Sequence, residues 1–256
     1  MKTLRILHLS DLHGILKILW KIIASGQSFD WIVLSGDIAP THVKYMTLLA
    51  NGFRKIDREA EGAHQLKWAL NALKPLIDRI PHRVLIIVNG NHDFCDFSQA
   101  FPNAITQFKG ARVVEVDGLQ VGLAVGISPL IKEWHEELEE FDFNELLHQL
   151  GPNINVLITH APPNQVLDSN YGGQHIGYNC LYSRLFGSAL RQEYPFFKHL
   201  FLHLFGHAHE SNGMKEIEIE ANEQNEARTI LFSNASGGAN VIEQEIQETG
   251  DKPSNQ

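Results

Sequence analysis

Apolar residues in this chain gather in short runs, and the runs stop at polar clusters. Residues 4–9, 31–34, 84–88, 156–158 and 200–205 are nearly continuous in hydrophobicity, as strands covered on both faces are. Residues 112–116 and 119–125 flank Asp117-Gly118, a two-residue hairpin signal. Residues 215–220 alternate apolar and charged side chains, and 229–232 form one more short run. Helical periods separate several of these segments. Leu66, Leu70, Leu73, Ile77 and Ile80 fall on one helical face, with Pro75 placed to kink or split it. Residues 131–140 read as an acidic helical stretch. Asp142 then opens a D-x-x-E cap before another helix, which Gly151-Pro152 ends.

Strands interleaved with helices predict one α/β domain with mixed sheets over residues 1–242. Residues 243–256 hold a single apolar side chain, Ile246, and read as a polar, mobile tail.

The polar residues that end the runs change the picture. The five main runs finish in Ser10-Asp11-Leu12-His13, Ser35-Gly36-Asp37, Gly90-Asn91-His92-Asp93, Thr159-His160 and Gly206-His207-Ala208-His209. Ligands of α/β sheets bind at the carboxyl ends of strands, so these side chains converge if the strands share an edge. Asp11, His13, Asp37, Asn91, His160, His207 and His209 make a donor set of carboxylate, amide oxygen and imidazole. That set suits Mn, Fe or Zn better than Ca. Seven donors exceed one tetrahedral site, whereas two adjacent ions sharing a carboxylate would use them. In extended chain, residues i and i+2 point the same way, so Asp11 with His13, and His207 with His209, are expected to face one region. Gly36, Gly90 and Gly206 let backbone pass close by without a Cβ.

Composition narrows the alternatives. At 256 residues, 43% hydrophobic and 20% charged, the chain is an ordinary globular one. It has no run of about 18 apolar residues to span a membrane. MKTLRILHLSDLHG lacks a signal-peptide cleavage site, and Cys95 and Cys180 form no paired motif, which together predict a cytoplasmic protein. A net charge of −9 with no basic run argues against a nucleic-acid surface.

The pieces SDLHG, SGD, GNHD, THAPP and FGHAH, in this order over residues 10–209, resemble the calcineurin-like metallophosphoesterase family. The resemblance implies a four-layer α/β/β/α sandwich of two mixed β-sheets flanked by helices, with two metals at one sheet edge. It also implies roles. Asp11, His13 and His209 would hold one ion, Asn91, His160 and His207 the other, and Asp37 would bridge them. His92 would contact substrate and protonate the leaving oxygen. HAPPNQVLD, HIGYNCL, FGHAHES and SNAS look like a subgroup of metallophosphoesterase-domain proteins with phosphodiesterase activity, some towards cyclic nucleotides. One departure stands out. The family's protein phosphatases continue Gly-Asp with Asp, Arg and Gly, whereas this chain continues with Ile38-Ala39-Pro40. Neither the carboxylate that orients the histidine nor the arginine that grips phosphate is there.

The implied activity is hydrolysis of a small or nucleotide-like phosphate diester by a metal-bridging hydroxide. Two divalent ions against Asp11, Asp37 and that hydroxide leave the centre positive by about one charge, and they lower the pKa of water towards roughly 7. A phosphomonoesterase, a nuclease and a non-catalytic metal-binding scaffold for partner proteins are the competing readings. Asp93 is a candidate to orient an imidazole or to cap a turn, and His175 to touch substrate. Ser10 and Ser35 are expected to bond backbone only. His8, His199 and His203 lie in strand runs and are expected in the core. His42, His64, His82, His135 and His148 are expected in solvent, and all four tryptophans in packing.

Overall fold

The computed structural model describes residues 2–48, 54–130, 132–187, 195–221 and 226–246. Its strands are β1 (Lys2–Ser10), β2 (Phe29–Ser35), β3 (Met46–Leu48), β4 (Arg54–Ile56), β5 (His82–Val88), β6 (Ile105–Gln107) and β7 (Ala111–Val116). They continue with β8 (Leu119–Ala124), β9 (Val156–Thr159), β10 (Leu202–Phe205), β11 (Gly213–Ile219), β12 (Arg228–Asn234) and β13 (Gly238–Ile246). The two large sheets have the orders β13-β1-β2-β5-β6 and β11-β12-β10-β9-β8-β7, and β3 with β4 forms a separate two-stranded antiparallel sheet. Both large sheets are mixed: β1, β2 and β5 run parallel, as do β8, β9, β10 and β12, while β13, β7 and β11 are antiparallel.

Strand parity shows how the layers stack. Leu4, Ile6, Trp31, Val33, Ile86 and Val88 of the first sheet meet Val121, Leu123, Val156, Ile158, Leu202 and Leu204 of the second. The opposite parity, Leu7, Leu9, Ile32, Leu34 and Ile87, meets helices α1 (Lys17–Ser25), α2 (Arg58–Trp68) and α3 (Lys74–Ile77). On the far side, Leu157, Phe205, Ile230 and Phe232 meet α4 (Glu140–Gln149) and α5 (Asn179–Phe186). Each central strand is thus covered on both faces, which is why its sequence shows no alternation. At the edge away from the polar clusters, Arg83 bonds both Asp30 and the turn residue Asp117, which also takes the indole N–H of Trp31 at 2.9 Å. Asp117 and Gly118 have φ of 52° and 79°, the left-handed pair that a tight hairpin requires.

Several expectations need correction. Residues 132–139 form turns, not a helix, because the Glu137 carboxylate takes the N–H groups of Leu130 and Trp134, which a helix would otherwise use. Residue 131 lies outside the described residues. Helix α4 starts at Glu140, so Asp142 sits in its first turn and does not cap it. Glu140 instead caps α5, its oxygens accepting the N–H groups of Asn179 and Cys180. The helix over residues 58–77 is continuous, and a π-helical turn at Ala69–Leu73 absorbs Pro75. The tail begins later than its polarity suggests. Residues 243–246 belong to β13, which pairs antiparallel with β1 while Ile242 and Ile246 point inward. Residues 247–256 lie outside the described residues. Among the described residues, no helix is long and apolar enough to cross a membrane.

The histidines also sort differently. His8 bridges the sheets, its ring nitrogens 2.8 Å from Ser233 Oγ and from Ser35 Oγ, so Ser35 serves an imidazole and not the backbone. His203 is buried on Thr159 Oγ1 at 2.9 Å. His199, by contrast, is exposed outside any strand, and His135 is buried. Burial holds both His8 and His203 down at about 3, from an ordinary 6.5. Each therefore binds fewer protons folded than unfolded, so its contribution is complete above 6.5 and is lost as pH falls towards 3. Replacing His203 with Phe in metal-free protein is expected to flatten the fall in stability between about pH 6 and 4, by up to ~1.4 kcal/mol per pH unit. Urea melts at several pH values check this, and parallel wild-type and variant curves would contradict it.

Candidate active site

The loops that leave β1 and β2 are laced together by backbone bonds. Asp11 N–H donates to Gly36 O at 2.9 Å, His13 N–H to Asp37 O at 2.9 Å and Gly14 N–H to Ile38 O at 3.0 Å. This lacing holds non-glycine residues in the left-handed region: φ is 52° at Asp11, 44° at His13 and 51° at Asp37, and His207 adds a fourth at 70°. Such conformations cost on the order of 1–3 kcal/mol each and persist where surrounding contacts fix them. The chain at D-x-H is therefore turned, not extended, and the i, i+2 argument does not apply to it. It also fails for H-x-H, whose two imidazoles go to different places.

Two ligand groups form. Asp11, His13 and His209 gather in one, and Asp37, His160 and His207 in the other, with donor atoms inside each group within 4.8 Å of one another. Asp11 Oδ1 is 3.0 Å from His209 Nε2, and His13 Nε2 is 3.3 Å from the same nitrogen. His160 Nε2 lies 3.4 Å from Asp37 Oδ2 and 3.2 Å from Asn91 Oδ1, which brings Asn91 into the second group. Asp37 Oδ2 is also 3.8 Å from His13 Nε2, so this one oxygen stands between the groups. Donors about 2.1 Å from a shared ion, at ordinary coordination angles, stand roughly 3.0–3.4 Å apart, so the set fits metal ions.

Surrounding bonds aim these donors. His160 Nδ1 is tied to Ser35 O at 2.8 Å, which leaves Nε2 to the site. Asp11 Oδ2 takes Ser10 Oγ–H at 2.6 Å, His207 N–H at 2.9 Å and Ser236 Oγ–H at 3.0 Å, so only Oδ1 faces His209. Ser10 thus bonds a carboxylate as well as backbone. The site glycines act through close approach. A Cβ on Gly90 would lie 2.2 Å from Asp37 Oδ1, and one on Gly206 would lie 1.9 Å from Ser10 Oγ.

Charge is concentrated here. Burial pushes the Asp11 carboxyl up, but His160 and the His209 hydrogen bond outweigh it and hold it at about 2. Asp37 is likewise driven well below the ordinary range, burial being overcome by His160 and His92. In return, Asp37 and Asp11 raise His160 to about 10 against its burial. His207, buried and next to His160, drops to about 4.

His92 belongs to neither group. Its N–H donates to Asp37 Oδ1 at 2.8 Å, and its Nε2 is 4.0 Å from Asp37 Oδ2. Asp93 does not orient it. That carboxylate takes the N–H groups of Ile38, Ala39 and Gly90 at 2.9 Å, as a turn anchor does. Burial and Asp37 push Asp93 up to about 7, against those three amides. His175 bonds buried Asp168 at 2.6 Å, on a loop tied to Ser211, and joins neither ligand group.

Sequence reasoning missed four contributors. Thr41 Oγ1 is 2.9 Å from His92 Nδ1. Trp134, expected to serve packing, packs its ring against that of His92, with centroids 4.0 Å apart and planes tilted by 35°, and lines a neighbouring cavity of about 360 Å³ with Arg58, Glu136 and Asp142. Buried Gln65 joins the carbonyls of His92 and Pro40 and accepts Phe94 N–H. Asn234 spans Leu167 O and Ala208 O. The signals were a glutamine beside the apolar face of a helix and the polar SNAS run after an apolar strand.

No curated protein matches the chain. Among solved structures it is similar to a 5'-nucleotidase precursor from Thermus thermophilus, at 12% identity and a TM-score of 0.42, over 95% of this chain and 54% of that one. It is also similar to the NAD nucleotidase of Haemophilus influenzae, at 12% identity and a TM-score of 0.41, over 94% of this chain and 49% of that one. The chain spans about half the length of these structures. Residues 4–211 match the calcineurin-like phosphoesterase family, a span that contains both ligand groups and His92. The chain belongs to the calcineurin-like phosphoesterase family.

Proposed function

We propose that this phosphoesterase is a dinuclear metal-dependent phosphodiesterase, acting on a small or nucleotide-like ester, with His92 as the proton donor. The observation that carries the reading is the position of Asp37 Oδ2, which lies 3.4 Å from His160 Nε2, 3.8 Å from His13 Nε2 and 4.0 Å from His92 Nε2. One carboxylate oxygen thus faces both ligand groups and the imidazole outside them. Asp11, His13 and His209 would hold one ion, Asn91, His160 and His207 the other, with Asp37 shared. Two divalent ions there would supply a water that ionises near neutral pH and positive charge for the phosphoryl oxygens. Asn91 adds an oxygen donor without adding negative charge. His92, held beside the centre by its own N–H on Asp37, is placed to protonate the departing alkoxide.

A preference for diesters is supported by what borders the centre. The ion pairs that reach Asp11 and Asp37 come from histidines, among the described residues, and none from arginine or lysine. Ile38 and Ala39 stand where the family's phosphatases continue with Asp and Arg. A diester brings one negative charge and a monoester up to two, so a centre without a guanidinium fork suits the diester better.

Turnover of bis-p-nitrophenyl phosphate by Mn-loaded protein should exceed that of p-nitrophenyl phosphate. Fewer than one metal per chain after Mn loading would overturn the dinuclear reading, and a monoester preference would overturn the substrate class. The His92→Ala protein should keep its metal and lose roughly 10²–10⁴-fold in kcat on a dialkyl phosphate, while an aryl ester, whose leaving group hardly needs a proton, is affected much less. Near-normal turnover of the dialkyl ester would remove His92 from the mechanism. Gly206→Ala should displace Asp11 and Ser10, because its Cβ would fall 2.2 Å from Asp11 Oδ2. Metal analysis should then find occupancy of the Asp11 group reduced about tenfold or more, with the Asp37 group retained.

A further inference from the structure

Resting on that reading of His92, we propose that Thr41 is the residue that positions its imidazole, in place of a carboxylate, with Trp134 bracing the ring face. His92 has to keep Nε2 towards Asp37 while its ring stays off the metals. Only the Nδ1 edge and the ring faces are left for the protein to hold. At the Nδ1 edge stands Thr41 Oγ1, at 2.9 Å. On the faces and edges stand Trp134, with ring centroids 4.0 Å apart, and His13, at 5.0 Å and nearly perpendicular. The nearest acidic side chain in sequence, Asp93, is spent on three backbone amides. Ile38, the residue after the bridging Asp37, is fully buried and apolar.

The hydroxyl's place is fixed from several directions. Asp93 takes Ile38 N–H and Ala39 N–H, Gly14 N–H donates to Ile38 O, and Pro40 restricts the backbone just before Thr41. The Gln65 amide donates to His92 O at 2.7 Å and to Pro40 O at 3.3 Å. A single buried side chain thereby sets the spacing between the segment that carries Thr41 and the one that carries His92. The Trp134 wall is fastened to the same loop, because His135 N–H donates to Asn91 O at 2.9 Å and Arg58 holds Trp134 O at 3.0 Å.

The choice of a hydroxyl has a chemical consequence. The proton leaves from Nε2, so Nδ1 carries its N–H both before and after the transfer, and the Thr41 hydroxyl can accept that N–H throughout. It does so without adding a negative charge beside a centre that has to attract phosphate. A loop-capping threonine would have neither property, and its loss would act on all substrates alike.

Thr41→Val keeps the shape and removes the hydroxyl, and Thr41→Ser keeps the hydroxyl. On a dialkyl phosphate, Thr41→Val is expected to lower kcat roughly tenfold or more, with KM and metal content within about twofold of wild type, and Thr41→Ser to recover most of the loss. On an activated aryl ester the same variant should be nearly unchanged. In Zn-loaded protein, long-range ¹H–¹⁵N correlation spectra should show the His92 Nδ1 signal displaced in Thr41→Val and returned in Thr41→Ser. Equal losses on both esters, loss of metal, or undiminished turnover of the dialkyl ester would overturn the proposal. Should the wild type hydrolyse no phosphate ester, the functional reading fails, and the spectra still judge the contact: an unmoved Nδ1 signal in Thr41→Val overturns it.

Discussion

Two carboxylates, Asp11 and Asp37, are buried side by side with no lysine or arginine paired to them among the described ion pairs. Much of the architecture around them answers that cost. Burying an uncompensated charge is expensive, and the compensation here comes from neighbouring imidazoles, serine hydroxyls and backbone N–H groups. In the metal-free protein a proton on His160, the group these carboxylates raise to about 10, offsets one of the two negative charges. A metal ion arriving at that nitrogen has to displace the proton, so the same excess of negative charge that strains the empty fold draws cations into it.

The strain is spread along the backbone as well as over the charges. Four ligand candidates sit at positive φ, and three of them lie in the two loops laced by consecutive backbone bonds. The two loops hold each other, because the β1 loop supplies the N–H groups and the β2 loop the carbonyls that satisfy them. The parallel pairing of β1 with β2 and of β2 with β5 sets the spacing from which the loops start. The second sheet delivers His160 from β9 and the H-x-H turn from β10, and the two edges meet where His160 bonds Ser35 O. The rigid layers thus set position, and the turns set direction.

What could be read from residues alone was the set of groups at the strand ends, because buried strands announce themselves and their polar terminations have few structural excuses. The route by which those groups converge was not legible. Alternation in an extended chain implied that His207 and His209 act together, but a left-handed turn sends them to separate groups. Thr41 was invisible because hydroxyls next to proline are common and only three-dimensional closure puts this one on His92. Trp134 was hidden by a helical pattern that Glu137 dissolves through two backbone N–H bonds. Asp93 was undecided because a turn anchor and an imidazole partner look alike in one dimension. Residues 243–246 were misread since an edge strand can be polar outward and still pair.

Ser236 reaches Asp11 across 225 positions of sequence, and β13 closes the sheet against β1. The carboxylate at the end of β1 therefore gains one of its donors from a residue made long after it. Contacts of such separation form late, since a long loop has to close before they return any energy. During synthesis, the nascent chain exposes an unpaired edge on β1 and an under-supported Asp11 until β13 leaves the ribosome. The centre thus matures with β13, and a chain made only as far as His209 carries all the ligands in order without the frame that holds them.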